Sequence, residues 1–372
     1  MPLVLLSDLG GTNARFELRQ VGAEGSTDEV VHAASFPTVA PDAVVGSGSA
    51  FEALVAKFIE ESGGLPPQLC VMAVCGPVVD GAAYCASQVM METTGAWRFT
   101  EASVSAAAGG ARVVLLNDFV AVGHALEFIP EAQLHCLHTP KVPPEHPEQE
   151  TIACLGPGTG LGNVYAVYDS GKKCRKVMAS EGCMSTFVPR SQLQWDFFQW
   201  LRSTEQYVPV DRVCGGQGIA SWYKFFADTE CGQAHARAVP AAEQVRAPEV
   251  DAEFRASEQP AGVVASHGVA GQPGADPTCV LAIDCFLETL GQEAANLGMR
   301  FLARGGLFIA GGGIAAKLFD TIQDGRVLRA YLAQGSASEV IECVPLYVSD
   351  ATDLGMAGVR NLAASMVRQG DL

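Results

Sequence analysis

The segment Asp8-Leu9-Gly10-Gly11-Thr12-Asn13-Ala14-Arg15 constrains the fold of this chain more than any other. An apolar run, residues 3–6, leads into it, and Phe16-Glu17-Leu18 continues as a second candidate strand. The expected result is a hairpin tip, because adjacent glycines let a chain reverse and approach a ligand closely. Backbone N–H groups, the Thr12 hydroxyl and the Arg15 cation suit a phosphate. Asp8 suits such a site only with a metal ion between carboxylate and phosphate. Any hairpin tolerates Gly-Gly, so a plain turn stays open on these residues alone.

The pattern recurs. Residues 151–155 form a candidate strand, then comes Gly156-Pro157-Gly158-Thr159-Gly160-Leu161-Gly162, then a candidate strand over 163–168. Two such turns in separate halves predict a duplicated fold with a ligand clamped between the halves. A third Gly-rich turn, Gly311-Gly312-Gly313, joins a candidate strand over 307–310 to a helix starting at 314. It suits a phosphate or nucleoside at a helix N-terminus, or serves only as a link.

The remaining pattern is α/β. Short aliphatic runs at 30–36, 69–74 and 112–116 predict further strands, and residues 50–60 place Phe51, Leu54, Val55, Phe58 and Ile59 on one helical face. A mixed sheet with crossover helices follows. Residues 280–303 read as one long helix, 345–348 as a buried strand, and 353–367 as a closing helix capped by Asp350 or Thr352. The Ala-, Gly-, Pro- and Glu-rich stretch 231–277 is long for a loop and is expected to be part helix, part mobile insertion.

With 372 residues the chain is long enough for two domains. A net charge of −17 argues against a nucleic-acid groove, which needs a basic stripe. Anionic ligands remain possible through backbone N–H groups and a metal ion, so ATP would be taken as its magnesium complex. Twelve cysteines contain no Cys-x-x-Cys pair, and no secretory leader is in view, which predicts reduced thiols in the cytoplasm. His135-Cys136-Leu137-His138 lacks a second ligand pair, so zinc is not expected there. No apolar run approaches the roughly 20 residues of a membrane span.

Asn117 and Asp118 follow the buried run 113–116, at the strand end where open α/β sheets bind ligands. Asp118 could take a proton from a hydroxyl attacking a phosphoryl group, or the pair could merely cap the next helix. Glu181 in Ser180-Glu181-Gly182 could bind sugar hydroxyls or be a solvated loop acid. Asp211, before Arg212-Val213-Cys214-Gly215-Gly216-Gln217-Gly218, could cap a turn or supply a second carboxylate. Its glycines suit backbone lying against adenine or a tight helix entry.

In order, DLGGTNARF, LLNDF, LGPGTGLG, SEG, DRVCGGQG and GGLFIAGGGI resemble the bacterial-type glucokinase family, including its protist members. The resemblance spans nearly the whole chain. It implies the actin-like ATPase (ribonuclease H-like) fold: two α/β domains, residues 1–116 plus 355–372 and residues 117–354, with an interdomain cleft and an insertion near 231–277. It implies ATP-dependent phosphorylation of D-glucose to glucose 6-phosphate, the entry step of glycolysis. Asp118 would be the base; Asn117, Glu181 and Asp211 would bind the sugar together with it. Gly10, Gly11, Thr12, Asn13, Gly158 and Thr159 would flank the phosphates of ATP, Gly216, Gly312 and Gly313 the nucleoside, and Asp8 would lie near Mg2+. A homodimer is implied as well. The resemblance implies the cytoplasm as compartment, or the peroxisome-like organelle that houses some protist relatives.

Two positions depart from the family. Its Gly-Gly-His after the glutamate is here Gly182-Cys183-Met184, and methionine is no strong donor. Its glutamate before Arg-Val is here the shorter Asp211. These leave open a kinase for another hexose or phosphoryl donor. A non-catalytic sugar- or nucleotide-binding protein on the same fold is the third reading, and retention of Asn117, Asp118 and Glu181 argues against it. The Cys-x-Cys-Gly zinc cluster of repressor-related (ROK) sugar kinases is absent near Glu181.

Overall fold

The computed structural model describes residues 1–22, 29–38, 50–86, 90–91, 95–239 and 247–372. It divides into two compact units: Met1–Phe128 with Asp353–Leu372, and Ile129–Thr352.

In the first unit, the main sheet has strand order β3-β2-β1-β4-β8 among the described residues. The strands are β1 (Leu3–Leu9), β2 (Asn13–Gln20), β3 (Glu29–Pro37), β4 (Leu69–Val74) and β8 (Arg112–Asn117). A smaller sheet comprises β5 (Val78–Val79), β6 (Ala82–Cys85) and β7 (Trp97–Thr100). β1, β2 and β3 run antiparallel in hairpin succession, whereas β4 and β8 join parallel to β1. Every residue of β4 is buried, as expected of a central strand covered on both faces. On one face the helix Ala50–Glu61 buries Phe51, Leu54, Val55 and Phe58 against Phe16 and Leu18. Phe16 and Phe58 stack at 5.3 Å, a pairing worth about 0.5–1.5 kcal/mol beyond area burial. On the other face lie the helices Asp118–Ala125 and Leu354–Gln369. A Cβ on Gly358 would stand 1.7 Å from the Ala121 carbonyl, so only glycine permits that helix contact.

The second unit repeats the scheme. Its sheet has the order β12-β11-β10-β13-β14-β9 among the described residues, with β9 (Leu134–His138), β10 (Ile152–Pro157), β11 (Leu161–Asp169), β12 (Cys174–Ser180), β13 (Gly306–Ile309) and β14 (Leu346–Ser349). Again three antiparallel strands, β12, β11 and β10, are extended by two parallel ones, β13 and β14. The core centres on the long helix Pro277–Phe301, capped by Asp276, and on Phe197 stacked over Trp222 at 3.5 Å.

One expectation is met in part and one is corrected. The stretch 231–277 is more helical than its composition suggests: Glu230–Arg237, Pro248–Ala256 and Pro260–His267 are helices. Thr229 caps the first, and proline opens the other two, where its missing N–H has no consequence. Val250, Phe254 and Val264 tie them to the core. The expectation of a mobile part falls also on residues 240–246, which lie outside the described residues. The closing helix has Asp353, not Asp350 or Thr352, at its N-cap position. The Asp353 carboxylate makes no cap bond because Arg15 and Arg360 hold it.

Candidate active site

In the first unit, strand register aligns the predicted residues. Leu9 of β1 pairs with Val74 of β4, and Val74 pairs with Asn117 of β8, all in parallel. The turn after β1, Cys75-Gly76 after β4 and Asn117-Asp118 at the end of β8 therefore lie at one carboxyl edge of the sheet, the usual ligand edge of an α/β sheet.

The first turn is closed by the Gly10 N–H donating to Asn13 O at 2.9 Å. Thr38, fully buried, holds it from behind: its hydroxyl donates to Gly11 O at 2.8 Å and its N–H to Thr12 O at 2.9 Å. Thr12 and Asn13 themselves are exposed. Asp8 accepts from Arg15 directly across the hairpin, and Arg15 also reaches Asp353 at 3.2 Å. Burial raises the Asp8 pKa, with Arg15 opposing it.

Asn117 caps the helix Asp118–Ala125: its Oδ1 accepts from the Phe119 N–H at 2.9 Å, and its Nδ2 donates to Gly76 O at 3.1 Å. The capping expectation holds, and one amide hydrogen and one lone pair remain for a ligand. Asp118 opens that helix, half-buried, with Oδ1 accepting from the same N–H at 2.9 Å.

In the second unit the three Gly-rich segments meet. β10 pairs with β13 in parallel, Leu155 with Ile309, so the turn after β10 and the glycines after β13 share an edge. The Gly158 N–H donates to Gly160 O at 2.8 Å, and the Gly216 N–H to Gly158 O at 2.9 Å. A Cβ on Gly312 would stand 2.0 Å from Pro157 O, and one on Gly215 2.6 Å from Gly160. Gly311 has φ +80°, a conformation that favours glycine. Gly158, Thr159, Gly216 and Gly312 are thus gathered, with Gly313 opening the helix Gly313–Lys317.

Asp211 does not cap the next turn. It lies within the helix Val210–Cys214, and its Oδ1 accepts from the Leu161 N–H at 2.6 Å, reaching back to the second hairpin. A Cβ on Gly160 would lie 2.2 Å from that oxygen. Burial raises the Asp211 pKa. Glu181 follows β12 and is exposed; partial burial and the Asp211 charge raise its pKa. Cys183 goes into the core, whereas the Met184 side chain is exposed and its carbonyl accepts from the Tyr207 hydroxyl.

Sequence reasoning missed two residues. Thr38 has no local signal, because it meets the first turn only through the fold. Asn163 is buried under Gly182, whose Cβ would lie 2.9 Å from its Nδ2, and its Oδ1 has no hydrogen-bond partner among the described residues. A polar residue on a buried strand just after a Gly-rich turn was the available signal.

A duplicated sheet with Gly-rich turns at the ligand edges defines the class: the actin-like ATPase fold of sugar kinases. Solved structures share it. A glucokinase from Balamuthia mandrillaris in complex with glucose aligns with TM-score 0.73 at 18% identity, covering 98% of this chain and 94% of that one. A ROK family glucokinase from Streptomyces griseus in complex with glucose and AMPPNP aligns at 0.58 and 17%, covering 97% and 98%. The Glucokinase family profile matches residues 5–366. The glucokinase of Nostoc punctiforme is 28% identical over 372 residues, 98% of this chain and all of the relative. The chain belongs to the glucokinase family.

Proposed function

We propose that this protein transfers the γ-phosphoryl group of ATP to the terminal hydroxymethyl oxygen of D-glucose, with Asp118 as general base. The Asp118 carboxylate takes the hydroxyl proton, the oxygen bonds to phosphorus, and the bond to ADP breaks; the proton then passes to solvent. Family membership supports the reaction, and the Balamuthia and Streptomyces complexes support glucose and ATP as its ligands. The observation that carries the assignment of roles is the register that sets the Gly10–Thr12 turn and Asp118 on one sheet edge.

Asn117, held at both ends of its amide, and the Glu181–Asp211 pair would bind sugar hydroxyls. The gathered glycines Gly158, Gly216, Gly312 and Gly313, with Gly10, Gly11, Thr12, Asn13 and Thr159, would hold the nucleotide through backbone N–H groups. The donor set suits magnesium: Asp8 is a hard oxygen ligand whose burial disfavours its own charge, a penalty that a cation offsets. When bound, the ion neutralises phosphate charge. All twelve cysteines are free thiols, which supports a reducing compartment, and we assign the cytoplasm. Among the described residues no helix is long and apolar enough to cross a membrane. The homodimer is carried from the family resemblance.

A broader sugar range is the second reading. Met184 offers no donor, and Asp211 already accepts from Leu161. Assay of a panel of hexoses tests it: comparable kcat/KM for glucose and another hexose supports breadth, and a strong preference for glucose removes it. For the base, Asp118→Ala should keep its melting temperature and lose about 10²–10⁴-fold in kcat, measured as glucose-dependent ADP release. Full turnover in that variant overturns the assignment.

A further inference from the structure

Outside the proposed catalytic machinery, three ligand-type side chains of the second unit converge where the helix Glu230–Arg237 packs on the helix Gln192–Arg202. Cys231 and His235 stand four residues apart on the first helix and so share a face. Asp196 comes from the second. One ligand atom from each, Sγ, a ring nitrogen and a carboxylate oxygen, lies within 4.8 Å of the other two. His235 Nε2 is 2.8 Å from Asp196 Oδ2, and Gln192 Nε2 donates to Asp196 Oδ1 at 2.8 Å. Ser191 and Thr229 cap the two helices a few residues from the cluster, which fixes both backbones there. The Asp196 and His235 side chains are 25% and 28% exposed, and Cys231 is exposed, so an ion can enter.

The arrangement is not that of a nucleophilic thiol. Asp196 stands between sulfur and imidazole and bonds both, so His235 does not activate Cys231. Desolvation and, after it, the Asp196 carboxylate raise the thiol pKa, the reverse of what a reactive cysteine needs.

We propose that Asp196, Cys231 and His235 form a zinc-binding site, with water as the fourth ligand. Thiolate, imidazole and carboxylate are the zinc set, whereas magnesium prefers oxygen alone. Zinc bonds of about 2.0–2.3 Å place tetrahedral ligand atoms about 3.3–3.8 Å apart, so the His235–Asp196 contact opens by roughly half an ångström on binding. Zn2+ displaces the Cys231 thiol proton to solvent and binds the thiolate; with the Asp196 carboxylate and neutral imidazole the site is electrically neutral. The ion staples the two helices together.

The test uses the full chain, stripped with a chelator and titrated with Co2+ or Zn2+ alone. One equivalent of Co2+ should bind with a thiolate-to-cobalt charge-transfer band, and Zn2+ should displace it while millimolar Mg2+ does not. Cys231→Ser should abolish the band, and His235→Ala should weaken zinc at least about tenfold. Neither variant removes a core side chain, and equal far-ultraviolet circular dichroism of the metal-free proteins checks the fold. Equal metal uptake by the parent chain and Cys231→Ser, or no stoichiometric uptake by the parent, overturns the site.

Discussion

The two Gly-rich hairpins look alike in sequence and are built differently. The first, between β1 and β2, carries its own charges: Asp8 and Arg15 face each other across the strands, and a buried threonine holds its carbonyls. The second, between β10 and β11, has no charged residue from 156 to 162. It is held by other glycine backbones and by Asp211, a carboxylate borrowed from the helix Val210–Cys214. The same turn logic is therefore built in two ways. In the proposed site one hairpin would present charge to a cation and phosphate, and the other would present bare backbone to a nucleotide.

The comparison breaks most visibly at the charges. Asp8→Asn keeps the side-chain shape and a hydrogen bond to Arg15 but removes the anionic oxygen. The magnesium concentration for half-maximal rate should rise on the order of ten- to a hundredfold, by analogy with the loss of a supporting ligand group. Thr159→Val in the second turn should leave that magnesium requirement unchanged. Equal shifts in both variants would dissolve the distinction between the hairpins.

Packing gives the next largest effect. A Cβ on Gly160 meets the Asp211 carboxylate at 2.2 Å, whereas one on Gly10 meets Asn13 O at an ordinary 3.4 Å. Gly160→Ala should destabilise the fold by about 1–3 kcal/mol in urea denaturation, and Gly10→Ala by well under that. Because the clash is with one side chain, Gly160→Ala should be less harmful on an Asp211→Ala background than on the parent. Additive losses would show that the second turn is not held by Asp211.

Much of this was legible in the sequence. Both hairpins are marked by glycines between aliphatic runs, and the strands after the turns begin a little before the candidate runs, at Asn13 rather than Phe16 and at Leu161 rather than Asn163. The strand Leu69–Val74 is a continuous apolar run, and the apolar run 113–116 ends in the polar Asn117 and Asp118, which exposed the ligand edge. What stayed hidden depends on tertiary placement. Thr38 meets Gly11 only after β3 folds back. The bond from Asp211 to Leu161 spans fifty positions, and no local rule separates it from a sugar contact. The helices Pro248–Ala256 and Pro260–His267 were masked by alanine and glycine, and it is Phe254 against Tyr223, at 4.3 Å, that anchors the first of them.

The smallest effect concerns the protons of the borrowed carboxylate. Burial raises the folded-state pKa of Asp211 above its unfolded value near 4, so above that value the folded chain binds more protons than the unfolded one. Its contribution to stability is therefore greatest at low pH and falls as pH rises from about 4 through the raised folded value, opposite to a salt-bridged aspartate. Glu181 adds in the same direction, discounted because it is exposed. Asp211→Asn can still accept from the Leu161 N–H but does not titrate, and it removes the charge that raises Glu181. Unfolding free energy measured in urea from pH 4.5 to 7 should fall with pH less steeply in this variant than in the parent. The difference should stay below about 1.4 kcal/mol per pH unit, the one-proton ceiling. A parallel pair of curves would mean that Asp211 does not change its proton affinity on folding, and the second hairpin would then rest on its glycines alone.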